Sequence, residues 1–351
     1  MIWSARRGPS RSTRPNAVFR ELPPEGRRLR ARAIVSFAAG VWGGGLAYAF
    51  MSRPGFFADF LAWWFAARAL VRGVDPYSVV PSDAPYFISD PLVYPLPTVL
   101  TVVPFSWMPL TLAGAVFVGL SSMLLAWAIS RDDFARLPLF MSFPFVMAVS
   151  LGQWAPLVTA AALIPGLGFL AVCKPTFATA FAVSRPTKSL ILGGAAFLIA
   201  SLAVAPSWPA RWLANLRLAA PHPAPLFTVA GVACGLALLR WRREDARLVL
   251  GMAAVPQLAM FADQLPLLLV ARTRVQSMAL ALLSHVGGLL WLFTRNPKDH
   301  PAWDGTYLML ASVYLPALVL VLRRPNEGEF PSWLAHPVGK LLASRRTRVT
   351  R

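Results

Sequence analysis

Residues 33–51 read AIVSFAAGVWGGGLAYAFM and contain no charged side chain. At 1.5 Å per residue, a helix over this stretch is about 28 Å long, close to the roughly 30 Å thickness of a bilayer core. A second uncharged run, VFVGLSSMLLAWAI at residues 116–129, has the same character. Runs of this kind are typical of membrane-spanning helices. They favour an all-α protein that crosses the membrane.

The overall composition supports the same fold class. Of the 351 residues, 56% are hydrophobic and 14% are charged, with a mean hydropathy of +0.55, whereas about 25% of the residues in soluble domains are charged. Further apolar stretches cover residues 190–205, 275–293 and 307–322. We therefore predict a polytopic transmembrane helical bundle of roughly ten to twelve spans within residues 33–322.

The basic residues predict the orientation of this bundle. The net charge is +19, and arginine dominates the tails at residues 1–32 and 323–351. Because cytoplasmic segments carry the excess of Lys and Arg, we expect both termini in the cytoplasm. The same rule assigns several short turns to the cytoplasmic side, with basic residues Arg131, Arg136, Arg185, Lys188, Arg240, Arg242, Arg243, Arg272 and Arg274. Topology thus explains the charge, so we expect membrane lipids and no nucleic acid as partners.

Residues 52–109 form the first loop on the extracytoplasmic side in this topology. Within it, GFFADFLAWWFAARALVRGVDPYS at residues 55–78 predicts a helix from about Asp59 to Gly73, a residue that favours a helix end. At 100° per residue, Arg68 lies opposite Asp59 and Arg72 lies near Arg68. The helix would rest on the membrane with its arginines toward lipid phosphates and Asp59 toward the protein. Asp59 is otherwise explained as a helix N-terminal residue without a chemical role.

Two later segments interrupt the apolar pattern. Residues 154–173 are too few for two full spans, which indicates a re-entrant hairpin. Asp263 is an acid within an apolar region, and it is a functional candidate if it lies at membrane depth and an ordinary loop acid if it does not. His222 and His285 have no second ligand at metal spacing, so we expect no metal site.

Several short motifs occur in a fixed order along the first half of the chain. They are Asp59, Ala66-Ala67, Leu70, Gly73, Asp75-Pro76-Tyr77, Tyr94-Pro95, Gly152-Gln153 and Lys174-Pro175. This order resembles glycosyltransferase family 87, membrane enzymes of the C-type fold that use polyprenyl-phosphate sugars. The resemblance implies two juxtamembrane helices within residues 52–109 and a location in a bacterial plasma membrane.

The resemblance also implies a reaction. A hexosyltransferase of this family would move a hexose such as mannose, with inversion, from a polyprenyl-phosphate donor to a lipid or glycan acceptor at the extracytoplasmic face. It would need no cofactor. Asp59 would act as general base, and Tyr94 and Gln153 would contact substrate. Asp263, which lies outside the motifs of the resemblance, is a further candidate for substrate contact because it is an ionisable residue in an apolar region. The candidate partners of the donor phosphate are Lys174, Arg211 and Arg217.

Other interpretations of these residues remain open. Lys174 is alternatively a lysine at a helix end whose side chain extends to the membrane interface, and Gln153 is alternatively a capping or turn residue. Arg211 and Arg217 are alternatively interfacial charges beside lipid headgroups. The chain as a whole also fits a transporter or lipid flippase, or a non-catalytic assembly subunit descended from the enzyme.

Overall fold

The computed structural model describes residues 24–54, 56, 59–79, 91–219, 224–257, 260–295 and 305–328. Every regular element in these residues is helical. The α-helices are, in chain order, α1 Pro24–Met51, α2 Phe60–Val71, α3 Leu96–Val102, α4 Leu110–Ile129, α5 Phe143–Ser150, α6 Ala155–Leu163, α7 Pro175–Ser184, α8 Ser189–Val204, α9 Trp208–Leu218, α10 Glu244–Ala254, α11 Arg274–Thr294 and α12 Thr306–Leu322. Short 3-10 helices cover Val103–Phe105, Leu137–Met141, Gly168–Cys173, Pro225–Phe227, Gly231–Arg240 and Ala262–Val270.

Three of these helices are long and apolar enough to cross a membrane. They are α1, α4 and α11, and the number rises to five if the bent pairs α5–α6 and α8–α9 each count as one span. The prediction of an all-helical protein with membrane-length helices is therefore confirmed. The larger number of spans stays a prediction.

Glycines allow α1 and α4 to cross in close contact. A Cβ atom at Gly44 would lie 2.9 Å from the carbonyl oxygen of Ala115, and a Cβ atom at Gly40 would lie 3.1 Å from that of Gly119. Small residues at a helix crossing let two backbones approach, which is a common way for helices to associate in membranes. Helices α1 and α4 thus pack closely against each other.

The basic turns that we predicted on one side of the membrane meet on one surface. Arg28 Nη2 donates to the carbonyl oxygen of Arg131 at 3.0 Å, and Arg136 Nε donates to that of Ala271 at 2.9 Å. We call this surface the basic face; it contains Arg28, Arg131, Arg136, Arg185, Arg243, Arg272 and Arg324. The grouping agrees with the pattern of charge in the sequence.

Asp245 is the acidic centre of the basic face. Its carboxylate accepts two hydrogen bonds from Arg243 at 2.9 Å and one from Arg324 at 2.6 Å, and Arg272 lies 3.6 Å away. Burial acts to raise the pKa of Asp245, but the hydrogen bonds and charges of Arg243 and Arg324 outweigh it and lower that pKa. One carboxylate therefore joins the first turn of α10 to the start of α11 and the end of α12.

The first helix leads from the basic face to the opposite end of the molecule. From Arg28 to Met51, α1 extends about 35 Å at 1.5 Å per residue. Helix α2 begins at Phe60, and Phe60 and Met51 both pack against Gly152. Helix α2 and Asp59 therefore lie at the end of the molecule away from the basic face.

Candidate functional site

A sharp corner between α5 and α6 positions the first polar residue of the site. The two helices are bent by 115°, and Gly152 in the corner has a φ of +69°, where a side chain is strained. A Cβ atom at Gly152 would lie 2.7 Å from atoms of Met51 and Phe60. The backbone amide of Phe60 donates to the carbonyl oxygen of Leu151 at 3.3 Å. The corner is thus tied to the first residue of α2.

This contact brings Gln153 against Asp59. Gln153 is buried, with 2% of its surface exposed, and its Nε2 atom donates a hydrogen bond to Asp59 Oδ2. Asp59 occupies the N-cap position of α2, but its side chain makes no capping hydrogen bond. It is half-buried and directly precedes the buried Phe60. The carboxylate is therefore directed at Gln153 and does not cap the helix.

Lys174 and Asp263 extend the same hydrogen-bonded chain. Lys174 Nζ donates to Gln153 Oε1 at 3.2 Å and forms an ion pair with Asp263. Both side chains are buried, with exposed fractions of 7% and 6%. We call Asp59, Gln153, Lys174 and Asp263 the polar cluster. Four residues that the sequence proposed separately are thus in contact, and Asp59 is the member nearest to the surface.

A helical hairpin joins Gln153 to Lys174. Helix α6 runs away from Gln153, the chain turns at Gly166, and the 3-10 helix Gly168–Cys173 returns to Lys174. The carbonyl oxygen of Cys173 accepts a hydrogen bond from Thr98 Oγ1 at 2.7 Å, which ties the returning arm to α3. The two arms form a hairpin whose ends meet, and its predicted re-entrant position in a membrane stays a prediction. The hairpin thus brings Gln153 and Lys174, 21 positions apart, into contact.

A strained residue precedes Asp263. Phe261 has a φ of +65°, a left-handed conformation that costs about 1–3 kcal/mol for a residue with a side chain. Its ring centroid lies 5.2 Å from that of Phe143 and 6.0 Å from that of Trp291. The 3-10 helix Ala262–Val270 starts at the next residue and is buried over almost its whole length. The aromatic contacts hold the turn that directs Asp263 at Lys174.

Tyr94 lies beside the polar cluster. Burial raises its pKa to about 12; the Lys174 charge acts to lower it, and those of Asp263 and Asp59 act to raise it. The ring centroid of Tyr94 lies 5.0 Å from that of Trp63, which in turn lies 5.3 Å from that of Trp154. Tyr94 is thus a neutral phenol at neutral pH, next to an aromatic wall that the sequence did not single out.

Helix α9 contacts two chain segments that lie between α2 and α3 in the sequence. Arg211 forms an ion pair with Asp75. Asn215 Nδ2 donates to the carbonyl oxygens of Leu92 at 3.2 Å and Tyr77 at 3.4 Å. Arg211 therefore has a carboxylate partner outside the polar cluster. Its predicted role at a donor phosphate stays a prediction.

Arg217 lies on the exposed surface of the same helix. It forms no ion pair with any of the residues that the structure describes. The structure thus brings Asp59, Gln153, Lys174, Asp263 and Tyr94 together and leaves Arg211 and Arg217 apart from them.

Metal-type ligands are dispersed in the described part of the chain. It contains no group of three or more His, Cys, Asp or Glu residues that could hold a metal ion. His285 contacts the carbonyl oxygen of Met141 at 2.6 Å, and His222 lies outside the described residues.

A second buried polar pair adjoins the polar cluster. Gln264, which follows Asp263, donates from Nε2 to Gln257 Oε1 at 3.3 Å, and both side chains are almost fully buried. Within the described residues, Gln264 Oε1 and Gln257 Nε2 have no hydrogen-bond partner. In the sequence, Gln264 interrupts an apolar run together with Asp263, whereas no sequence pattern singles out Gln257.

Comparisons with protein-family models, with curated proteins and with solved structures found no match to this chain.

Proposed function

We propose that this protein is a membrane glycosyltransferase that moves a hexose from a polyprenyl-phosphate donor to a lipid or glycan acceptor at the extracytoplasmic face. One observation carries the proposal. Asp59, Gln153 and Lys174, which belong to three separate motifs of the family resemblance, form one hydrogen-bonded chain. Asp59, the proposed base, is the least buried member of that chain and lies at the end of the molecule opposite the basic face.

In the proposed reaction, Asp59 accepts the proton of the acceptor hydroxyl. The hydroxyl oxygen then bonds to the anomeric carbon of the donor, while the bond from that carbon to the phosphate oxygen breaks and polyprenyl phosphate leaves. A single displacement of this kind inverts the anomeric configuration. A positioned base contributes about 10²- to 10⁴-fold to such a step.

Gln153 and Lys174 support the base in this proposal. The Lys174 ammonium holds Gln153 Oε1, so the amide group presents Nε2, and not its oxygen, to Asp59. Gln153 thereby orients the carboxylate. Because Lys174 is already paired with Asp263, contact with the donor phosphate would require an exchange of partners. Tyr94, as a neutral phenol, can donate a hydrogen bond to the sugar.

The proposal includes a topology. Residues 33–322 would cross a bacterial plasma membrane roughly ten to twelve times, with the short apolar helices supplying the additional crossings. The basic face would lie in the cytoplasm together with both termini. Helices α2 and α3 would be the juxtamembrane helices of the loop at residues 52–109.

The test uses membranes that contain the protein, incubated with a radiolabelled polyprenyl-phosphate hexose. We expect wild type to transfer the label and Asp59→Ala to lose about 10²- to 10⁴-fold of the rate. Asp132→Asn is the matched control, since it removes an exposed acid on the basic face, and it should keep the wild-type rate. Equal product from wild type and Asp59→Ala would remove Asp59 as the base.

One observation favours a transporter or flippase as the second candidate. The ten-residue helix α7 separates Lys174 from Arg185 on the basic face. Ten helical residues extend about 15 Å, which is half the thickness of a bilayer core. Buried ionisable residues at that depth are typical of transport pathways. Proton-coupled uptake into vesicles that persists in Asp59→Ala would support this function. A non-catalytic relative of the enzyme would show neither transfer nor uptake and would co-purify with a partner.

A further inference from the structure

The face of α2 opposite Asp59 carries a stripe of one aromatic and two basic residues. Trp64, Arg68 and Arg72 follow one another at intervals of four residues, which places them on one side of a helix. The Arg68 guanidinium stacks over the Trp64 ring at 4.5 Å. Asp59 lies about 180° around the helix from Arg68 at 100° per residue. This stripe therefore belongs to a surface separate from the polar cluster.

The stripe forms one wall of a groove of about 410 Å³. The other walls are apolar and include Phe65 and Val74. Among the described residues, neither Arg68 nor Arg72 has an acidic partner within ion-pair distance. The groove thus combines an apolar surface with two positive charges that have no acidic partner among the described residues.

The end of α2 gives the groove a fixed shape. The amide of Val74 donates to the carbonyl oxygen of Ala69 at 2.9 Å, and that of Gly73 donates to Leu70 at 3.0 Å. With a φ of +73° at Gly73, these bonds make a Schellman motif, in which the residue after the glycine packs against the last turn. Val74 and Ala69 both line the groove. Its floor is therefore part of the folded helix end.

The groove also lies at the level expected of lipid headgroups. Trp64 Nε1 donates to the carbonyl oxygen of Met108 at 3.2 Å, and the neighbouring Trp107 is 78% exposed. Exposed tryptophans concentrate where headgroups meet the hydrocarbon. This end of the molecule is the one opposite the basic face, about 35 Å along α1 from Arg28.

We propose that this groove binds the phosphate headgroup of an anionic membrane lipid. The guanidinium groups of Arg68 and Arg72 hold the phosphate oxygens, and Trp64, Phe65 and Val74 receive the first apolar carbons of the lipid. Arginine suits this role because its planar donors match a phosphate. The bound lipid fixes α2 on the membrane surface with Asp59 turned toward the protein. This site does not depend on the proposed glycosyl transfer.

The test measures lipid binding and not transfer. The purified protein in phosphatidylcholine nanodiscs is titrated with spin-labelled phosphatidylglycerol, and the fraction of motionally restricted lipid is recorded. Each arginine near a membrane surface contributes about fivefold to the binding of an anionic lipid, so Arg68→Gln/Arg72→Gln should weaken it about 30-fold. Arg131→Gln, a matched change at an exposed arginine on the basic face at the other end of the molecule, should leave it within about twofold.

A second variant tests the groove from its apolar wall. Val74→Glu places a carboxylate beside both arginines and should weaken binding to a similar extent, while spin-labelled phosphatidylcholine should bind equally to all variants. An excess of inorganic phosphate should not displace the lipid, because it lacks the apolar carbons. Wild-type affinity in Arg68→Gln/Arg72→Gln, or displacement by inorganic phosphate, would overturn the proposal.

Discussion

Replacement of Lys174 by methionine tests how much the buried ion pair of the site contributes to the stability of the fold. The substitution keeps most of the side-chain volume but removes the ammonium from the Asp263 carboxylate, and both groups are more than nine-tenths buried. Loss of one member of a buried ion pair costs about 3–5 kcal/mol, because the other charge stays desolvated. The hydrogen bond to Gln153 adds about 1 kcal/mol. We therefore expect Lys174→Met to lower the free energy of unfolding by about 4–6 kcal/mol.

The double variant Lys174→Met/Asp263→Leu separates the charge effect from a general loss of packing. It removes both buried charges, so most of the cost should disappear and about 1–2 kcal/mol should remain. The free energies of unfolding of wild type, the single variant and the double variant are measured on purified protein in detergent micelles by circular dichroism. Lys188→Met, at an exposed lysine, should change stability by less than about 0.5 kcal/mol. A double variant as unstable as Lys174→Met would refute the coupling of the two charges.

Three other outcomes can be measured with similar preparations. Gly152→Ala should cost about 2–4 kcal/mol in the unfolding assay, since it adds both backbone strain and a clash, while Gly45→Ala, in open space on α1, should be neutral or slightly stabilising. The pKa of Asp245 is lowered in the folded state, so its stabilisation is present above the unfolded pKa near 3.9 and is lost as the pH falls through the folded value. The unfolding midpoint of Asp245→Asn should therefore depend less on acidic pH than that of wild type. Gln153→Leu should reduce hexose transfer about tenfold or more, with the folded protein retained on gel filtration; an unchanged rate would exclude its role in orienting Asp59.

The sequence singled out each member of the polar cluster as a candidate, but it did not predict which members contact one another. Asp59, Gln153, Lys174 and Asp263 each interrupt an apolar or aromatic region, and polar side chains in such places need partners inside the protein. Charge asymmetry also placed the basic turns on one surface. Polar residues within apolar regions and the distribution of basic residues are both local features, so they can be recognised from a single sequence.

The pairing of these residues depends on the path of the backbone. The contact of Lys174 with Asp263 spans 89 positions, and it relies on a left-handed residue, Phe261, that no local pattern indicates. Arg211 was a candidate for a donor phosphate, yet it lies against Asp75, 136 positions earlier (211 minus 75). Residue type and spacing predict that a charge needs a partner, but only the packing of helices decides which partner it finds.

The carboxylate at the centre of the basic face also connects distant parts of the chain. Asp245 lies two positions from Arg243 but 79 positions from Arg324. A chain cut before Arg324 would therefore lack one of the arginines that hold the first turn of α10. Such a truncation should weaken the basic face at a point far from the cut in the sequence.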